Sequence, residues 1–194
     1  AEKGYTKEFS FPGKKFTILE NKPRVPVPFT RVKKQEKTQL LFSGTLGEST
    51  GIFQAIALTK SLHHLDSTIT LRIIGYAARY ETYLRIQEVI RGCDFITLAG
   101  GDYLVPHSEV MTAILEADFG IVFYPLSPHT QSSMPTKLYE YVATRLPILL
   151  QDHKAWVEFC SPYPAAIVLT KTLSPAELLF KMQSEHFYSI IPSN

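Results

Sequence analysis

The segment from Phe119 to Leu150 reads FGIVFYPLSPHTQSSMPTKLYEYVATRLPILL, and it decides the fold. It opens on a continuous apolar run at 119–125 and passes through a polar loop that begins at Ser127. Helical spacing follows from Pro135 to Arg145, and a second apolar run closes the segment. Apolar runs without alternation indicate strands buried on both faces, as in parallel sheets covered by helices. The segment therefore predicts a strand–loop–helix–strand unit of an α/β protein.

The same alternation continues in both directions along the chain from Gln39. We predict strands at 40–42, 69–74, 95–98, 119–123, 147–150 and 165–169, and helices at 51–62, 80–91, 107–116, 135–145 and 174–185. A short helix at 153–159 is interrupted by the proline-containing stretch 161–164. This order predicts a doubly wound, Rossmann-like, mostly parallel sheet of about six strands with helices on both faces, formed by residues 39–194.

Residues 1–38 have a different character. The run at 15–20 predicts one short strand, and Pro23, Pro26 and Pro28 then exclude a helix and favour an extended chain. We interpret residues 1–38 as a crossover or linker segment that precedes the α/β domain.

Composition excludes several classes of protein. A formal net charge of +2 over 194 residues is too small to indicate a nucleic-acid partner. The sequence contains no run of about 18 apolar residues, so we expect no transmembrane helix. Cys93 and Cys160 are isolated, which favours two buried free thiols in a reducing, cytoplasmic compartment. The chain lacks an Asp-x-Asp pair and ligands at metal spacing, so no metal site is predicted.

The start of the helix predicted at 135–145 has the chemistry of a phosphate site. A helix N-terminus presents unpaired amides and a partial positive charge, and Lys137 adds a full charge there. Hydroxyls of Ser133 and Thr136 are available to cap the same amides. Glu140 lies one turn further along, on a face expected to point to solvent or into a cleft. Amides and a cation for phosphates, with a carboxylate for hydroxyls, suit a nucleotide.

The spacing Ser133-x-Pro135-x-Lys137-x-x-Glu140, followed by Ala143-x-x-x-Pro147, resembles the donor-site helix of a glycosyltransferase family. These are retaining enzymes with two Rossmann-like halves, the GT-B fold, of the family 4 or group 1 type. The resemblance implies that this chain is the C-terminal, nucleotide-sugar-binding half and that Glu140 holds the ribose hydroxyls. Many members carry another Glu eight residues earlier, where this chain has Ser132.

The turn after the first strand carries glycines 44, 47 and 51, a spacing that does not match the GxGxxG fingerprint of nicotinamide or flavin sites. The resemblance instead implies a Gly-x-Leu turn, beginning at Gly44, that lies against the donor phosphates. Thr45 and Thr50 stand where the family has Arg and Lys.

The loop after the third strand contacts the nucleotide base in the family, so Tyr103 is a candidate stacking platform for the base. We interpret His107 as a residue that opens the next helix rather than as a catalyst. Glycine 75, at the end of the second strand, either matches a family glycine or merely allows a turn. Asp118 is interpreted as a cap or structural acid.

The predicted donor-binding residues are Gly44, Thr45, Tyr103, Ser132, Ser133, Pro135, Thr136, Lys137 and Glu140. No residue is assigned as catalytic. The resemblance implies a nucleoside-diphosphate-sugar as substrate, no separate cofactor, and an acceptor bound by a missing N-terminal domain. It also implies that this half is inactive alone and that the enzyme belongs to glycan biosynthesis. Peripheral attachment of the full-length enzyme to the inner face of a membrane is left open.

Two alternatives remain open at this point. The chain could be the nucleotide-binding Rossmann domain of another enzyme, such as a sugar-nucleotide epimerase. It could also be a non-enzymatic α/β interaction module, which would need no cleft at residues 132–140.

Overall fold

The computed structural model describes residues 36–125 and 133–189. The strands are β1 (Thr38–Thr45), β2 (Ile69–Tyr76), β3 (Ile96–Gly101), β4 (Phe119–Val122), β5 (Ile148–Gln151) and β6 (Ala166–Leu169). The helices are α1 (Ile52–Leu65), α2 (Tyr80–Ile90), α3 (His107–Glu116), α4 (Thr136–Ala143), α5 (Lys154–Cys160) and α6 (Pro175–Ser184), with one 3₁₀ turn at Glu48–Thr50. Each predicted strand and helix within the described residues is confirmed, including the short helix before the prolines at 162 and 164.

All six strands are parallel, in the order β3-β2-β1-β4-β5-β6. This is the doubly wound, Rossmann-like arrangement that the sequence predicts. From β1 in the middle of the sheet, the chain moves outward through β2 to β3, and it then returns to the other side of β1 with β4. That reversal leaves a crevice at the carboxyl ends of β1 and β4, where open α/β sheets bind their ligands.

The core lies on both faces of the sheet. Leu40 and Phe42 point to the layer that contains α1 and α6, whereas Leu41 points to the layer that contains α3, α4 and α5. All three side chains are 0% exposed. Successive residues of a strand point to opposite faces, so burial of both faces removes the apolar–polar alternation and leaves the continuous runs seen in the sequence.

A row of glycines ends the first three strands in register, because Gly44 pairs with Gly75 and Gly75 pairs with Gly100. A Cβ atom on Gly75 would lie 1.7 Å from the carbonyl oxygen of Gly44, and one on Gly100 would lie 2.2 Å from that of Gly75. Close approach of neighbouring backbones is therefore the structural reason for glycine at position 75.

Asp118 and the two cysteines were given structural roles by the sequence. Asp118 is a structural acid, since its Oδ2 accepts a hydrogen bond of 2.8 Å from the backbone N–H of Gln39. Cys160 is buried as expected, but Cys93 is only half-buried. The strand predicted at 15–20 and most of the predicted crossover segment lie outside the described residues, which begin at residue 36. Among the described helices, none combines the length and the apolar character needed to cross a membrane.

Candidate functional site

Helix α4 lies directly over the boundary between β1 and β4. The hydroxyl of Tyr141 is 2.9 Å from Oγ of Ser43 on β1. The ring of the same tyrosine occupies the space beside Gly120 on β4, where a Cβ atom would come within 2.4 Å of it. Because these contacts fix the helix against both strands, its first turn comes to lie at the crevice between their carboxyl ends.

Lys137, in that first turn, is buried with only 5% of its surface exposed. Its ammonium lies 3.8 Å from the centre of the Phe42 ring and 5.5 Å from that of Tyr124. The Nζ atom has no hydrogen-bond partner among the described residues. Burial lowers the pKa of Lys137 from 10.5 to about 7, although the nearby charge of Glu140 acts in the opposite direction. A buried cation without an acceptor is costly, so the site favours a bound anion.

The N-cap residue of α4 is a proline. Pro135 has no side-chain group that could accept a hydrogen bond from the first-turn amides, so it provides no side-chain cap. Ser133 and Thr136, the predicted caps, are exposed beside this N-terminus, and their role as caps stays a prediction. The carbonyl oxygen of Ser133 accepts a hydrogen bond of 2.8 Å from Nε1 of Trp156. The contact with Trp156 holds the chain before α4 by its backbone, which no local pattern encodes.

Helix α6 shows the opposite arrangement. The hydroxyl of Ser174 accepts a hydrogen bond of 3.2 Å from the Glu177 amide, and the Glu177 carboxylate accepts one of 2.9 Å from the Ser174 amide. This capping box satisfies amides at the start of α6, whereas the N-cap residue of α4 provides no such side chain.

Glu140 is 7% exposed, so the prediction that it faces solvent is wrong and only the cleft alternative is compatible with the structure. Its Oε1 atom lies 3.1 Å from Nε2 of His107, whose side chain is 65% exposed. His107 opens α3, as predicted. Its pairing with Glu140 was not predicted, because helical spacing does not show which neighbouring element a helix face meets.

In the turn after β1, the side chain of Thr50 bonds the backbone of its own loop. Thr50 is 8% exposed, and its Oγ1 lies 2.8 Å from the carbonyl oxygen of Thr45 and 3.0 Å from the amide of Gly47, whose hydrogen bond it accepts. Thr45 and Gly44 are exposed at the end of β1. A Cβ atom on Gly44 would lie 3.8 Å from Cε of Lys137, so this turn and the first turn of α4 are neighbours.

The structure thus brings five of the predicted residues together at the crevice: Gly44, Pro135, Thr136, Lys137 and Glu140. Thr45 ends β1 beside them, and the Ser133 backbone leads into α4. Tyr103 is 58% exposed in the loop after β3, on the same edge of the sheet. Ser132 lies outside the described residues.

One buried group at this edge was not predicted. His153 follows β5, is 7% exposed and stacks on Trp156 with ring centres 4.1 Å apart. Its Nδ1 atom has no hydrogen-bond partner in the part of the chain that the structure describes. The ring of Tyr124 also packs edge-on against Trp156, with ring centres 5.6 Å apart. An isolated histidine carries no sequence signal that separates such a site from an ordinary helix start.

The sequence matches no protein-family model and no curated protein. Several solved structures with a similar fold are glycosyltransferases. AviGT4, a glycosyltransferase involved in avilamycin A biosynthesis, superposes with a TM-score of 0.62 at 15% identity, over 86% of this chain and 48% of that one. The C-terminal domain of the group 1 glycosyl transferase LpcC from Francisella tularensis gives a TM-score of 0.56 at 13% identity, over 80% of this chain and 83% of that domain.

TarM of S. aureus, in a complex that contains UDP, gives a TM-score of 0.59 at 11% identity over 89% of this chain. The shared architecture is the Rossmann-like α/β fold of this chain, a six-stranded parallel sheet covered by helices. This chain spans only 48% of the AviGT4 chain and 33% of the TarM chain, so the likeness concerns one part of those proteins.

Proposed function

We propose that this chain is the donor-binding half of a glycosyltransferase that transfers a sugar from a nucleoside-diphosphate-sugar with retention of configuration. The observation that carries the proposal is Lys137. Its ammonium is buried and has no acceptor among the described residues, and it lies in the first turn of a helix whose N-cap residue, Pro135, provides no side-chain cap. Both features lie at the crevice of a doubly wound sheet, and both are satisfied by a bound phosphate group.

Glu140 supplies the second half of the recognition. It lies one helical turn beyond Lys137, and its carboxylate is held near the crevice rather than spread into solvent. A diphosphate at the helix start would place the adjoining ribose within reach of that turn. Carboxylate oxygens accept hydrogen bonds from vicinal hydroxyls, so the pair of residues distinguishes a nucleotide from a simple anion.

The structural neighbours support the assignment to a half-enzyme. LpcC was solved as a C-terminal domain, and it covers nearly the same extent of chain as this fold. The TarM crystal contains UDP, the kind of nucleotide that remains after sugar transfer. In the proposed reaction, the amides and Lys137 stabilise the negative charge of the departing diphosphate, an electrostatic contribution. The acceptor and any general base would be supplied by the other half.

Calorimetric titration with UDP, GDP and ADP tests the proposal on this chain. Lys137→Met should weaken nucleoside diphosphates by about ten- to a hundredfold and monophosphates less, because hydrogen bonds to charged groups are worth about 1.5–3 kcal/mol. Glu140→Ala should weaken nucleotides to a similar extent while leaving pyrophosphate binding unchanged.

Matched controls separate these effects from general charge and folding. Lys154→Met removes an exposed lysine at the start of α5, on the same edge of the sheet, and Glu109→Ala removes an exposed carboxylate from α3. Both control variants should bind like the unmodified chain. If neither the Lys137 nor the Glu140 variant changed nucleotide affinity, or if no nucleotide bound at all, the proposal would be wrong, and the interaction-module alternative would be favoured.

A further inference from the structure

We propose that His107 is a positioning residue: it holds the Glu140 carboxylate in the orientation that recognises the two ribose hydroxyls of the nucleotide. This inference rests on the proposed function, and it adds a residue from another element to the site. The observation behind it is the 3.1 Å contact between Nε2 of His107 and Oε1 of Glu140.

The contact joins groups in very different environments. The Glu140 side chain is 10% exposed, whereas that of His107 is 65% exposed. The imidazole therefore reaches the buried carboxylate from the rim of the crevice. A buried carboxylate needs hydrogen-bond donors, and His107 is the donor that the described hydrogen bonds give to this side chain.

The geometry leaves one carboxylate oxygen for a ligand. Each oxygen of a carboxylate has two acceptor sites, and His107 occupies one site on Oε1. No described residue donates a hydrogen bond to the other oxygen, Oε2, so the carboxylate can still accept hydrogen bonds from two hydroxyls on neighbouring carbons. A glutamate has three rotatable side-chain bonds, and fixing one oxygen beforehand lowers the entropy that ligand binding must remove.

His107 is itself rigidly placed, because it is the first residue of α3. That helix is anchored in the core by Met111 and Ile114, which are 8% and 0% exposed. Glu140 is anchored by its neighbour Tyr141, which is bonded to Ser43 on β1. The two partners therefore come from separately fixed helices, and their contact sets the carboxylate by tertiary packing.

The test is the preference for a ribose over a dideoxyribose, measured by calorimetry. The probes are whichever of UDP, GDP and ADP binds most tightly and its 2′,3′-dideoxy analogue. Gln places its amide nitrogen near the position of Nε2, so His107→Gln should keep the preference of the unmodified chain within about threefold. Asn reaches only the position of Nδ1, so His107→Asn should reduce the preference by about tenfold. His64→Asn, at an exposed histidine on α1, is the matched control and should change nothing.

The outcomes separate this inference from the function on which it rests. If His107→Asn left the preference intact, or weakened both nucleotides equally through a direct contact, His107 would not be a positioning residue although the donor site would stand. If the unmodified chain bound the ribonucleotide and its dideoxy analogue equally, the ribose role of Glu140 would be wrong, and this inference would fall with it. If His107→Gln reduced the preference for ribose as much as His107→Asn does, the inference would likewise be overturned.

Discussion

The two segments that border the crevice, the turn at 44–51 and the start of α4 at 135–140, differ in how their polar groups are satisfied. In the turn, the hydroxyl of Thr50 bonds the backbone of its own loop, and Gly51 packs against Phe123. In α4, the ammonium of Lys137 has no acceptor among the described residues. The buried hydroxyl of the turn is therefore paired within the turn, whereas the buried ammonium of the helix start is not paired by any described residue.

This difference bears on the two segments that the glycosyltransferase resemblance places against the donor phosphates. At the turn the resemblance is already weakened by Thr45 and Thr50, which stand where the family has Arg and Lys. The structure places the Thr50 side chain inside the turn, where it contributes to stability. Buried groups that lack a partner, such as Lys137, are the better indicator of where a ligand binds.

The largest effect is expected from adding a side chain at Gly51, where the turn after β1 packs against Phe123. Gly51→Ala should lower the free energy of unfolding by about 2–4 kcal/mol, because a Cβ atom there lies 2.5 Å from Cβ of Phe123 and the backbone is left-handed. Gly92 has the same φ of +76° with nothing within 4 Å, so Gly92→Ala should cost only about 1 kcal/mol of backbone strain. Urea unfolding of both variants measures the difference. Equal losses would show that the turn does not pack tightly against Phe123, the residue after β4.

A smaller effect is expected at Thr50. Thr50→Val keeps the shape but removes the hydroxyl, so it should lower the free energy of unfolding by about 1–3 kcal/mol, because the Gly47 amide loses its acceptor. Nucleotide affinity should be unchanged in calorimetry, and Thr50→Ser, which keeps the hydroxyl, should be close to the unmodified chain. A variant of normal stability with weakened nucleotide binding would place this turn in direct contact with the ligand.

The smallest effect is the pH dependence of diphosphate binding. Since burial lowers the pKa of Lys137 to about 7, the free protein loses this charge above pH 7, and a bound diphosphate must restore it. The dissociation constant should therefore rise by about tenfold per pH unit between pH 7.5 and 9, a range above the second ionisation of a phosphate group. Calorimetry should also detect proton uptake, and Lys137→Met should abolish both signals. A flat profile in the unmodified chain would mean that Lys137 does not pair with the ligand.

The same titration has a defined sign for stability. Lysine in the unfolded chain keeps its pKa near 10.4, so between about pH 7 and pH 10 the unfolded state binds more protons at this residue than the folded state. The Lys137 contribution to the free energy of unfolding therefore rises with pH across this window. Below pH 7 the cost of burying the ammonium is present in full, and Lys137→Met should raise the melting temperature more at pH 6 than at pH 9.

The sequence by itself determined the strands, the helices and the doubly wound sheet. These depend on hydrophobic runs and on turn and helix periodicity, which are properties of neighbouring residues. It also placed Lys137 in the first turn of a helix that follows a central strand. Only the tertiary structure decided that this lysine is buried against Phe42, that Glu140 meets His107, and that His153 stacks on Trp156 beside them. Lys137 and Glu140 meet their partners across distant parts of the chain. Periodicity gives the residues that share a face of a helix, but the packing of the whole sheet decides what covers that face.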